Sequence, residues 1–154
     1  MELSTDSPAG RQAIGQLLVR LLREFRRELG AARADRGYAD VRDAHLQIFG
    51  NIGTGDIRLT ELAGRAQLSL AATSELVNEL VALGYLARTS DTRDRRAKLI
   101  ILTERGQNLM RAAGARVAEI EATWAGIVGA DRFEVACTVM QELLDSMDRD
   151  NARR

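Results

Sequence analysis

Residues 58–106 read RLTELAGRAQLSLAATSELVNELVALGYLARTSDTRDRRAKLIILTERG, and this stretch decides the fold. Thr60 is a good N-cap for a short helix over 61–66. Ser69 caps a second helix carrying Leu70, Thr73, Leu76, Val77, Leu80 and Leu83, and Gly84 ends it. Two short helices joined by a few residues, the second one longer, make a helix-turn-helix candidate, although any helical hairpin can look this way. The segment after Gly84 is more specific. Residues 85–89 and 97–102 read as short strands, and between them lies Ser90-Asp91-Thr92-Arg93-Asp94-Arg95-Arg96. From Arg88 to Lys98 there are five basic residues against two acidic ones. A hairpin with an arginine-rich tip directly behind a helix-turn-helix reads as a wing. Such a tip reaches phosphates or a narrow minor groove while the second helix enters the major groove. The plain alternative is a solvated turn that happens to be basic, and position in the chain favours the wing.

Outward from this stretch the chain is helical. From Ala9 to about Ala31, Ile14, Leu17, Leu18, Leu21, Leu22, Phe25 and Leu29 fall at steps of three and four. They form one apolar stripe, with Arg20, Arg23, Arg26 and Arg27 mostly off it. After Gly37, Asp40 can cap a second helix, with Asp43 three residues on. Its apolar face is Val41, Ala44, His45, Ile48 and Phe49, and it stops in the glycine-rich loop 50–55. Thr103 caps a long helix whose apolar positions include Leu109, Ala113, Val117, Ile120, Trp124 and Ile127. Asp131 and Glu134 form a D-x-x-E cap for a last helix with Phe133, Ala136, Met140, Leu143, Leu144 and Met147. These long amphipathic helices have little globular mass around them. An interface with a partner chain and a bundle closed on itself would both produce this periodicity.

Composition narrows the function classes. The 154 residues suit a single domain, and 45% hydrophobic with 29% charged residues suits a soluble globular protein. One proline and 4% aromatics permit long helices and disfavour an aromatic-rich β-sandwich. Residues 1–10 show no signal peptide, and no apolar run approaches a membrane span, so a cytoplasmic protein with no membrane partner is expected. The 22 basic and 22 acidic residues cancel, which argues against nonspecific coating of nucleic acid but not against a local binding patch. Cys137 is the only cysteine, excluding an intrachain disulfide and a zinc ribbon. His45, the only histidine, lacks nearby metal-ligating partners and reads as a core or pocket-edge residue. Without a nucleophile motif, a Cys–His pair or a glycine-rich phosphate loop, an enzyme is not expected, nor is a metal or cofactor.

The ordered set Leu59-Thr60-Glu61-Leu62-Ala63, Ser69 through Leu83, Gly84-Tyr85-Leu86-Ala87-Arg88, Asp94-Arg95-Arg96-Ala97-Lys98 and Leu102-Thr103-Glu104-Arg105-Gly106 resembles the MarR (multiple antibiotic resistance regulator) family. Helix order and length match over nearly the whole chain. The resemblance implies a mainly α fold with a small β wing: one MarR-like domain over 1–154, a winged helix-turn-helix lobe at 38–102 with its wing at about 85–102, and dimerisation helices at 9–33 and 103–149. It implies a homodimeric, sequence-specific regulator of transcription, commonly a repressor, on double-stranded DNA with a pseudo-palindromic operator.

By that resemblance Ser69, Ala71, Ala72, Ser74 and Glu75, with Asn78 further along, face base edges. Asp94 and Arg96 match a wing-tip pair in which the carboxylate orients an arginine for minor-groove insertion. Arg95 matches a phosphate-contacting position, and Arg93 and Lys98 add charge. One feature departs from the family pattern: residues 68–80 hold no Lys or Arg and carry Glu75 and Glu79. A carboxylate at Glu75 repels phosphate but can accept from a cytosine amino group, while Glu79 fits the outer face. The wing is therefore expected to supply much of the affinity. Relatives are commonly released by a small effector or by thiol oxidation. His45 and Trp124 are candidates to approach an effector pocket, with helix packing as the default for both. Cys137 reads as a buried inert thiol and otherwise as the sole redox switch. The alternative function is a winged-helix protein that has lost DNA binding and acts through protein contacts, a reading the acidic second helix supports and the DRRAK tip opposes.

Overall fold

The computed structural model describes residues 10–153. In chain order its elements are α1 (Ile14–Asp35), α2 (Asp43–Phe49), β1 (Ile57–Arg58), α3 (Leu59–Ala66), α4 (Leu70–Ala82), β2 (Leu86–Ser90), β3 (Lys98–Leu102), α5 (Glu104–Val128) and α6 (Ala130–Ala152). This is the mainly helical winged fold expected. Contacts group the chain into two compact units, Met1–Gly114 and Ala115–Arg154, parting within α5.

In the first unit, Ile48 of α2, Ile52 just after that helix, Leu62 of α3, Val77 and Leu80 of α4, Tyr85, Leu86 and Ile100 close one core from which water is excluded. Each such side chain contributes about 1.5–3 kcal/mol by leaving water. The sheet is antiparallel in the order β1-β3-β2, with Leu86 opposite Leu102, Ser90 opposite Lys98, and Ile57 opposite Ile100. Strand β1 was not expected, because two residues are too few to show alternation. It explains why Thr60 is not the cap of α3. Arg58 pairs with Leu99 in the ladder and enters the helix directly as its N-cap, so Thr60 lies inside the first turn.

Helix α4 starts as expected, with Ser69 Oγ accepting from Ala72 N–H at 3.1 Å, a cap worth about 1 kcal/mol. Its end is set by Gly84 at φ +83°, a conformation that costs glycine nothing, and Tyr85 N–H returns to the Leu80 carbonyl at 2.9 Å. Tyr85 then joins the surrounding elements. Its ring meets Phe49 edge-on at 5.9 Å, the Arg105 guanidinium lies 4.2 Å over it, and its hydroxyl donates to Asp40 Oδ1 at 2.5 Å. Burial, then the Asp40 hydrogen bond, push the Tyr85 hydroxyl up to about 12.

Asp40 is consequently not the cap of α2. Its carboxylate is held by Tyr85 and by Arg105 at 3.0 Å, long-range partners that local spacing cannot reveal. The helix begins three residues later, with Arg42 at the cap position and His45 Nδ1 accepting from Arg42 N–H at 3.0 Å. Thr103 does cap α5, accepting from Gly106 N–H at 3.2 Å while its own hydroxyl donates to the Gly84 carbonyl at 2.6 Å.

Helix α1 begins at Ile14 and runs to Asp35, past the expected end near Ala31; Ala9 lies outside the described residues. Its residues Ile14, Leu18, Val19, Leu21 and Leu22 remain 47–64% exposed. In the second unit Ile120 is buried and Trp124, Phe133 and Cys137 are half-buried. Val135, Val139, Met140, Leu143, Leu144 and Met147 of α6 are exposed. The D-x-x-E cap expected at Asp131 is not formed. Gly129, at φ +95°, is the N-cap, so Asp131 sits in the first turn, where its charge suits the positive helix end.

Candidate nucleic-acid interface

Helix α4 divides cleanly. Thr73, Val77 and Leu80 point into the core, leaving Ala71, Glu75 and Asn78 exposed and Ala72 and Ser74 half-buried on the outer side, with Ser69 exposed at the cap. The α4 residues expected at base edges therefore share one open face, with the positive helix end at Ser69.

The two glutamates of α4 behave differently. Glu75 is exposed. Glu79, expected on the outer face, is instead turned toward α2. Its Oε2 accepts from the His45 ring at 2.7 Å and from the Arg42 guanidinium. Because His45 Nδ1 accepts from Arg42 N–H, the ring proton sits on Nε2 and points at Glu79. The His45 and then the Arg42 hydrogen bonds hold the Glu79 carboxyl below its ordinary 4.5. His45, only 1% exposed, has both ring nitrogens occupied, and that fits the core reading rather than a ligand to anything bound. Trp124 lies in the other compact unit.

The wing is built on a buried acid that nothing in the local sequence singles out. Asp91, 7% exposed, accepts from Arg93 N–H at 2.8 Å and from Arg58 of β1 at 2.7 Å. These two donors, the backbone one first, hold its carboxyl below the ordinary 3.8. The hairpin closes with Asp91 N–H on the Ala97 carbonyl and Ala97 N–H on the Asp94 carbonyl, each at 3.0 Å. Asp94 Oδ1 also accepts from Arg96 N–H at 3.0 Å, so this carboxylate meets Arg96 at its backbone and shapes the turn. Arg93, Arg95, Arg96 and Lys98 are all exposed around it. The arrangement is a fixed scaffold carrying a loose cationic fringe, which suits phosphate or groove contacts more than a packing role.

One further cation was missed. Arg88 of β2 is exposed, and its guanidinium donates to Asn78 Oδ1 across the gap between strand and helix. The GYL-x-R run held it in view, but register alone does not say which helix residue a strand arginine will meet.

Residues 39–97 match the MarR family model. No curated protein matches the chain in sequence. Among solved structures it is similar to the transcriptional regulator Tm0710 of Thermotoga maritima, at 25% identity over 90% of this chain and 99% of that one, with a TM-score of 0.59. It is similar in fold to a MarR family transcriptional regulator of Silicibacter pomeroyi, at 22% identity, 96% and 98% coverage and a TM-score of 0.72. The reduced form of MarR from E. coli aligns at 18% identity, 87% and 98% coverage and a TM-score of 0.73. The matched segment runs from just before α2 to the turn of the wing, and over most of its length the chain has the winged helix-turn-helix fold of these MarR-family structures.

Proposed function

We propose that this protein is a sequence-specific, DNA-binding regulator of transcription, acting as a homodimeric repressor on a pseudo-palindromic operator. The observation that carries the reading is the wing. A buried Asp91 anchors the hairpin to β1 while four cationic side chains stand free of the core beside the open face of α4. A basic fringe without a polyanion to meet gains nothing from so stiff a base.

The inward turn of Glu79 removes the strongest objection. With its charge matched by Arg42 and its oxygen bound by the His45 N–H, Glu79 is occupied, and α4 presents one acid, Glu75, to the groove. The competing reading, a winged protein working through protein contacts, leaned on two acids there and is weakened accordingly. Dimerisation is supported by the apolar faces of α1 and α6, which a water-exposed monomer would leave uncovered. Two copies related by a twofold axis would set their α4 helices about one DNA turn apart.

The test is fluorescence anisotropy on mixed duplex DNA across a salt series. Wild-type binding should fall steeply with salt, and replacing Arg95 and Arg96 together by Ala, which removes four cations from a dimer, should flatten the slope by up to about four units. Weak binding with an unchanged slope in that variant would end the proposal.

A further inference from the structure

The Arg88–Asn78 hydrogen bond bears on which base α4 reads, provided that the protein is the DNA reader proposed above. A free asparagine side chain most readily recognises adenine, accepting from N6 and donating to N7 with the two ends of one amide. In this structure the accepting end is already engaged. Arg88, projecting from β2, donates to Asn78 Oδ1. Asn78 sits one turn beyond Ser74 on the exposed side of α4, and Arg88 is exposed as well. A guanidinium offers only N–H donors, and so does the amide nitrogen of Asn78.

We propose that Arg88 and Asn78 act as one donor-biased reading head that selects guanine over adenine at one symmetric position in each operator half-site. Guanine presents two acceptors, O6 and N7, in the major groove, whereas adenine places an N6 amino group beside its N7. The positive charge held at the Oδ1 end repels that amino group and favours the O6 acceptor. Asn78 is the base-contacting residue. Arg88 is a positioning residue that fixes which way the amide faces, occupies one of the two lone pairs of Oδ1 and sets a positive charge beside the other. The bond joins two exposed side chains, so its contribution to folding is small and its loss should leave the fold intact.

The experiment is selection from a random duplex pool, run in parallel on wild type, Arg88→Met and Asn78→Ala, with thermal melts of all three. Wild type should recover a pseudo-palindrome with guanine at one position per half-site, preferred over adenine by about 5- to 100-fold in competition binding. Arg88→Met, which keeps the stem and drops the donors, should turn that same position toward adenine as Asn78 Oδ1 is freed of the guanidinium and its charge. Asn78→Ala should flatten the preference there and leave the other positions as they were. Adenine at that position in wild type, or identical logos from all three proteins, overturns the inference while leaving the regulator proposal standing. No recoverable motif from wild type overturns the regulator proposal itself.

Discussion

Two glycines of α5, eight residues apart, should respond in opposite senses to the same substitution. A Cβ built on Gly106 would stand 2.2 Å from the Tyr85 carbonyl oxygen and 3.0 Å from Leu102 Cδ2, whereas one on Gly114 meets nothing within 4 Å. The Tyr85 carbonyl cannot simply retreat, because it accepts from Thr103 N–H at 3.0 Å and follows the Gly84 turn. Helix and strand must separate by about 1 Å, loosening the Thr103 cap and the Arg105 stack on Tyr85. Overpacking of this kind costs about 1–3 kcal/mol, and a disturbed hydrogen bond adds about 1 kcal/mol. Alanine returns about 1 kcal/mol as a better helix former. The net expectation for Gly106→Ala is a loss of about 1–3 kcal/mol, set against a gain of up to about 1 kcal/mol for Gly114→Ala. Urea unfolding at one fixed protein concentration measures both, the concentration being held because assembly shifts apparent stability. If Gly106→Ala unfolds at the same urea concentration as Gly114→Ala, the close approach of α5 to Tyr85 is wrong.

Replacing His45 by Leu removes the acceptor for Arg42 N–H and the donor to Glu79, and should cost about 1–3 kcal/mol in the same unfolding assay. It should also weaken duplex binding by freeing the Glu79 charge, and adding Glu79→Gln should restore binding but not stability. The Asp91 carboxyl is held below 3.8, so its support of the wing is complete above that pH and is lost as pH falls through the folded value. Amide exchange at Asp91 and Arg93 should accelerate in that acid window, and Asp91→Asn should remove this step and weaken duplex binding at neutral pH. Leu143→Glu with Leu144→Glu, placed on the exposed apolar face of α6, should shift sedimentation from dimer to monomer. An unchanged dimer would place the interface elsewhere.

Much of the fold was legible because its signals are local. Ser69 caps its own helix, Gly84 stops it, and AKLIIL has strand periodicity whatever surrounds it. The errors fall where a polar side chain answers to distant residues. Asp40 has the spacing of a cap but is claimed by Tyr85 and Arg105, 45 and 65 residues away in sequence. Glu79 fits an outer face by helical phase, yet His45 and Arg42 draw it inward, and a 3.6-residue period cannot resolve a choice between adjacent positions. The wing was visible as charge, while its anchor was not, since Asp91 looks like any acid in a polar turn until β1 brings Arg58 beside it. The apolar stripes of α1 and α6 were equally plain. What covers them is not written in periodicity, because a self-closed bundle and an interface demand the same pattern.

The most direct test of the central claim is to ask wild-type protein for its own binding site, by selection from random duplex DNA at two or more salt concentrations. The expected result is one pseudo-palindrome whose half-sites lie about one helical turn apart, bound by two chains, with affinity falling steeply as salt rises. Enrichment of no sequence, with residual binding that persists after the wing arginines are replaced, would contradict the regulator reading.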